Sequence, residues 1–171
     1  MFFRKDSEVE LEGAALLESR LAEHMPAADA GTVSICTAIA GLLASVAYAD
    51  GDYDEESKIR ELLGSMQGLT SIGVDAVLSV LRKHIREIHT IQGSRYTRCL
   101  VDLADRDLRF HILEMLVEVA AADGTISFDE VTYLRRTANA LALTQDDYNR
   151  LQAKYRDKLG SLRSSHPPSK A

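Results

Sequence analysis

The stretch Ile39-Ala40-Gly41-Leu42-Leu43-Ala44-Ser45-Val46-Ala47-Tyr48-Ala49-Asp50-Gly51 decides the fold, because the chain contains it twice. At a constant offset of 73 residues it reads Ile112-Leu113-Glu114-Met115-Leu116-Val117-Glu118-Val119-Ala120-Ala121-Ala122-Asp123-Gly124. Seven of the thirteen pairs are identical without a gap, and Leu42 opposite Met115 is a near-isosteric exchange. A duplication of this kind fixes the architecture before any single element is read.

Both copies space their apolar residues as a helix does: Ile35, Ile39, Leu42, Leu43 and Val46 in the first, Ile112, Met115, Leu116 and Val119 in the second. Asp50 and Asp123 extend these stripes, which predicts a core-facing carboxylate at each helix C-terminus. That position is unfavourable. The helix end repels a negative charge by about 0.3–1 kcal/mol where exposed, and partial burial adds desolvation. Three compensators are open: local backbone N–H groups with Gly51 and Gly124 as left-handed caps, a cationic side chain, or a bound metal ion.

Downstream the copies stay parallel with one residue shifted. Ser127-Phe128-Asp129-Glu130 has the form of a capping box. Asp54 can cap the first copy, but three residues on stands Ser57, so the reciprocal half is missing. Asp50, Asp52, Asp54 and Glu61 echo positions 1, 3, 5 and 12 of an EF-hand loop, yet position 6 is Glu55 where glycine is needed. The second copy places Leu134 at position 12. Ordinary EF-hands are therefore rejected. A shared site is preferred: if the copies pack about a pseudo-two-fold axis, Asp50, Asp52, Glu56, Asp123 and Glu130 line one acidic pocket for a divalent metal ion.

Prolines stand only at Pro26, Pro167 and Pro168, which leaves the intervening chain free to form uninterrupted helices. The pattern predicts an all-α, single-domain bundle of about 7–8 helices with an internal pseudo-two-fold repeat. Helices are expected over about 7–24, from an N-cap at Thr32 to about 49, and over about 55–66 and 74–91. A break at Gly93-Ser94 precedes a helix to about 105, followed by helices over about 107–122, 128–141 and, capped by Thr144, 145–159. Residues 1–31 read as an N-terminal helix and linker, 32–159 as the domain, and 160–171 as a disordered tail rich in Ser, Pro and Lys.

The chain has 171 residues and a formal net charge of -6, a poor balance for sequence-independent nucleic-acid or anionic-lipid binding. No run of 18 apolar residues is evident and no secretory leader is read, so no integral membrane segment is expected. Cys36 and Cys99 form no CxxC pair and fit a reducing, cytoplasmic setting. The five histidines form no HExxH, and no P-loop or GxSxG elbow occurs. Nothing in the chain has the form of a catalytic site. Arg82, Lys83, His84, Arg86 and His89 form a basic stretch, read as a solvated face or as a docking patch for an acidic partner.

The two Ala-Asp-Gly turns, 49–51 and 122–124, with Glu130 downstream of the second and Glu56 one residue early after the first, resemble the TerB (tellurite resistance) family. The resemblance covers about residues 33–159. It implies an all-helical domain with internal two-fold similarity, an acidic site for a divalent metal, no enzymatic activity, and roles in stress response or protein interaction. Tellurite resistance itself is not carried over. The alternative expectation is a helical protein-interaction module whose Asp-Gly turns are purely structural. The sequence sets neither the metal, nor the partner, nor the oligomeric state.

Overall fold

A computed structural model describes residues 2–155 apart from positions 52 and 54; for residues 2–11, 91 and 92 only the backbone is described. Eight α-helices and one π turn follow in order: α1 (Phe2–His24), α2 (Ala30–Ala47), α3 (Glu56–Gly64), α4 (Ser71–Glu87), the π turn (Ile88–Gln92), α5 (Gly93–Leu103), α6 (Arg106–Ala120), α7 (Phe128–Ala140) and α8 (Gln145–Lys154). Among the described residues there is no strand, so the all-α bundle read from the apolar spacing is the observed class. The tail expected over 160–171 lies outside the described residues.

α2 is the axis of the bundle. Every residue from Cys36 to Ala47 is buried, and the helix touches α1, α3, α4, the π turn, α5, α6 and α7. A helix that is apolar all round has to be enclosed on all sides. By length and composition α2 matches a membrane span, with 18 residues at a mean hydropathy of 1.8, but 72% of it is buried inside the bundle. The stretch is not an unbroken apolar run, because Thr32, Ser34, Thr37 and Ser45 interrupt it. Small residues let neighbours approach closely. A Cβ built on Gly41 would lie 2.2 Å from Cε2 of Tyr96 on α5, so only glycine permits this crossing.

Exchanging α2, α3 and α4 with α6, α7 and α8 sends each contact to another observed contact. α2–α3 answers to α6–α7, α3–α4 to α7–α8, α2–α4 to α6–α8, and α2–α7 to α3–α6. α2 and α6 pack directly on each other. α1 lies against α4 and α2 and contributes Leu17 and Leu21 to the same core, joined by Met25 just after the helix ends.

Several boundaries differ from the sequence reading for local reasons. Asp29, not Thr32, caps α2: its carboxylate accepts from the Thr32 N–H at 2.7 Å. Gly93-Ser94 does not break the chain, since the π turn carries α4 into α5 and Gly93 keeps helical angles, φ -55 and ψ -45. The distortion lies at His84 instead, φ -116 and ψ 16. Both expected caps late in the chain are present: Ser127 with Glu130 on α7, and Thr144 with Asp147 on α8. Asp147 is fully buried and also pairs with Arg106 and Arg150.

Candidate functional site

The two Asp-Gly turns have nearly the same backbone. α2 and α6 end at Ala47 and Ala120, and each chain then turns over three residues. Gly51 N–H donates to Tyr48 O at 2.9 Å, and Gly124 N–H donates to Ala121 O at 3.0 Å. Ala49 N–H donates to Val46 O and Ala122 N–H to Val119 O, both at 3.2 Å. Gly51 has φ 91 and Gly124 φ 95. Only glycine adopts this left-handed geometry without strain, which accounts for the repeated Gly.

The helices stop three residues before each aspartate, so the apolar stripe does not carry through to it. Asp50 and Asp123 are exposed, not core-facing as the helical extrapolation predicted. Asp123 accepts the Thr125 N–H at 3.0 Å, an Asx turn that satisfies it locally.

Near these turns the buried carboxylates are two glutamates, one from each half. Glu130, on the first turn of α7, is 3% exposed. Its Oε1 accepts the Ser127 N–H at 3.0 Å, and Ser127 Oγ accepts the Glu130 N–H at 3.1 Å. Oε2 of Glu130 is buried without a hydrogen-bond partner. Glu55, at the N-cap of α3, is 8% exposed, and its Oε2 likewise has no partner. Burial pushes the Glu55 carboxyl up to about 7, reinforced by the charges of Glu130, Asp123 and Asp50. Burial also raises Glu130; the Ser127 hydrogen bonds oppose this, and Asp50 and Asp123 add to it. Asp50 and Asp123 therefore both lie near enough to act on Glu55 and Glu130.

Glu56, assigned to the pocket from sequence, faces elsewhere. It forms a two-pronged ion pair with Arg82 on α4. This also takes Arg82 out of the basic stretch as a free docking charge. Asp52 and Asp54 lie outside the described residues.

Glu55 is the buried carboxylate absent from the residues expected from sequence, and the sequence holds a signal for it. Counting back from the buried face of α3, Glu55, Ile59, Leu62 and Leu63 stand at i, i+4, i+7 and i+8. Glu130, Leu134, Thr137 and Ala138 repeat the same spacing on α7 and are likewise buried. Aligning buried faces pairs Glu55 with Glu130 at an offset of 75, whereas the turns align at 73. The second loop is thus two residues longer, not one, and that extra residue moves the match from Glu56 to Glu55.

Oxygen-only side chains of this kind suit hard cations. As placed, no group of three or more His, Cys, Asp or Glu among the described residues closes on a single point. Among the described residues nothing hydrogen-bonds Oε2 of Glu55 or Oε2 of Glu130, an arrangement a cation would relieve.

The fold defines an all-helical domain in which the aspartates of both Asp-Gly turns act on a buried pair of glutamates. The chain belongs to the TerB family, matching the family described as "Tellurite resistance protein TerB" over residues 36–153. No curated protein and no solved structure matches the chain.

Proposed function

We propose that this domain is not an enzyme and binds one divalent cation at the seam between its halves. The observation that carries the reading is the pair of buried, unpartnered oxygens, Glu55 Oε2 and Glu130 Oε2. Leaving such groups unmet costs about 1–3 kcal/mol each, more when charged. Glu55 and Glu130 would hold the ion from the protein side, and Asp50 and Asp123 would face it from the turns. The ion would supply positive charge beside Glu55 and Glu130 and tie α3 to α7. Cation binding would then set how firmly the halves are held together, a suitable input for a stress-response domain that docks a protein partner. The free thiols Cys36 and Cys99 support a cytoplasmic setting.

The second reading, an interaction module with structural turns, is favoured at one point: the Asp123 carboxylate already accepts the Thr125 N–H. Thermal unfolding of metal-stripped protein with Ca²⁺, Mg²⁺, Mn²⁺ or Zn²⁺ separates the two. A ligand that binds only the folded state raises the midpoint. The cation reading expects a rise with at least one ion in the wild type and a smaller rise in the Asp50→Asn, Asp123→Asn variant. No rise with any ion favours the module.

A further inference from the structure

α8 stops at Lys154, and its C-cap Tyr155 has already left helical geometry, with φ -106 and ψ 18. Tyr155 lines one small cavity together with Ile126 and Val131. Those two residues flank the Ser127–Glu130 capping box on either side in the sequence. The chain past Tyr155 therefore starts beside the second acidic turn.

Residues 156–171 lie outside the described residues, and their charge is opposite to that of the domain. Arg156, Lys158, Arg163 and Lys170 stand against Asp157 alone, a net of +3. The formal charge of -6 on the whole chain thus divides into -9 on residues 1–155 and +3 on the rest. Leu159 and Leu162 are set directly beside Lys158 and Arg163. An extended chain spans about 3.3–3.6 Å per residue, so Leu162 can reach about 23–25 Å from Tyr155.

The surface around the capping box has the complementary character. Asp50, Asp123 and Asp129 are exposed there, and the charges of Asp50 and Asp123 act on the buried pair Glu55 and Glu130. Phe128 is 81% exposed. The internal repeat shows that the core does not need this ring. Tyr53, two residues before Glu55, packs on the core of the first half. In the second half Ile126 is buried, and Phe128, two residues before Glu130, is left outside. Exposed opposite charges attract weakly as free partners. A short tether raises their effective concentration and makes a weak contact persist.

We propose that residues 156–171 fold back over the acidic seam of the same chain, with Lys158 and Arg163 against Asp123 and Asp129 and Leu159 and Leu162 beside the Phe128 ring, and that the seated segment competes with the cation. The competition rests on the cation reading above; the contact does not.

The test compares the full chain with a full-length variant carrying Arg156→Ser, Lys158→Ser, Arg163→Ser and Lys170→Ser. Metal-stripped proteins are examined by NMR, following the amide signals of Asp123, Gly124, Phe128 and Asp129. These signals should differ between the two proteins at about 50 mM NaCl and coincide at about 1 M, where screening is nearly complete. Phe128→Ser should shift the methyl signals of Leu159 and Leu162. Lys83→Ser with Arg86→Ser, which removes exposed cations from α4 instead, should leave the four amide signals unchanged. Calorimetry with Ca²⁺, Mg²⁺, Mn²⁺ and Zn²⁺ then reads the competition. An ion that binds the wild type should bind the four-site variant about fivefold tighter, the factor for a segment seated about 80% of the time. The proposal is overturned if the amide signals are the same in both proteins at low salt, if the α4 pair changes them equally, or if a binding ion has equal affinity for both. It is also overturned if the signal differences depend on protein concentration, which would seat the segment on a second copy. Should no ion bind either protein, the cation reading fails on its own, and the signals alone decide the contact.

Discussion

Glu55→Gln should make the metal-free protein more stable at alkaline pH, the opposite of what removing a native carboxylate usually does. The Glu55 carboxyl titrates near 7 in the fold because burial, and then its acidic neighbours, penalise the charge. In the unfolded chain it titrates near 4.5. The folded value is raised, so the folded state binds more protons between these limits. Ionisation of this group therefore lowers stability as pH rises from about 4.5 to about 7, and the full penalty persists above that. A difference of about 2.5 pH units corresponds to about 3 kcal/mol. The variant should gain about 1 kcal/mol over wild type at pH 5 and about 3 kcal/mol at pH 8. Urea unfolding with a chelator present measures both, and the difference between proteins cancels the other titrating groups. The larger value corresponds to about 6–12 °C in unfolding midpoint for a chain of this size. An equal difference at both pH values, or a variant less stable than wild type at pH 8, would refute the reasoning.

Other outcomes follow from the packing and caps. Gly41→Ala should cost about 1–3 kcal/mol by denaturant unfolding, because the added methyl meets the Tyr96 ring and the buried α2–α5 crossing has nowhere to move. Ser127→Ala should cost about 1 kcal/mol through loss of the α7 cap. It should also weaken any cation response, since the Ser127 hydroxyl anchors the first turn of α7, which carries Glu130.

The all-α class was legible because apolar spacing and the scarcity of proline are properties of the whole chain. The Ser127 and Thr144 caps were legible because a cap is set by residues three apart. The site was harder. The burial expected of Asp50 and Asp123 assumes that α2 and α6 continue, and both helices stop first at Ala47 and Ala120. Choosing between Glu55 and Glu56 depended on where the buried face of α3 begins, one residue in an acidic run. Arg82, 26 residues beyond Glu56, settles where Glu56 goes, and no local pattern shows such a partner. Gly93-Ser94 read as a break because glycine and serine disfavour helix interiors, a preference that the packing of the π turn on α2 and α1 overrides.

The central claim is that the two halves share one cation site, and isothermal titration calorimetry of metal-stripped protein tests it most directly. The account predicts one ion per chain, with binding lost in both single variants, Glu55→Gln and Glu130→Gln, since each half supplies one buried carboxylate. Two ions per chain, or undiminished binding in either variant, would contradict it.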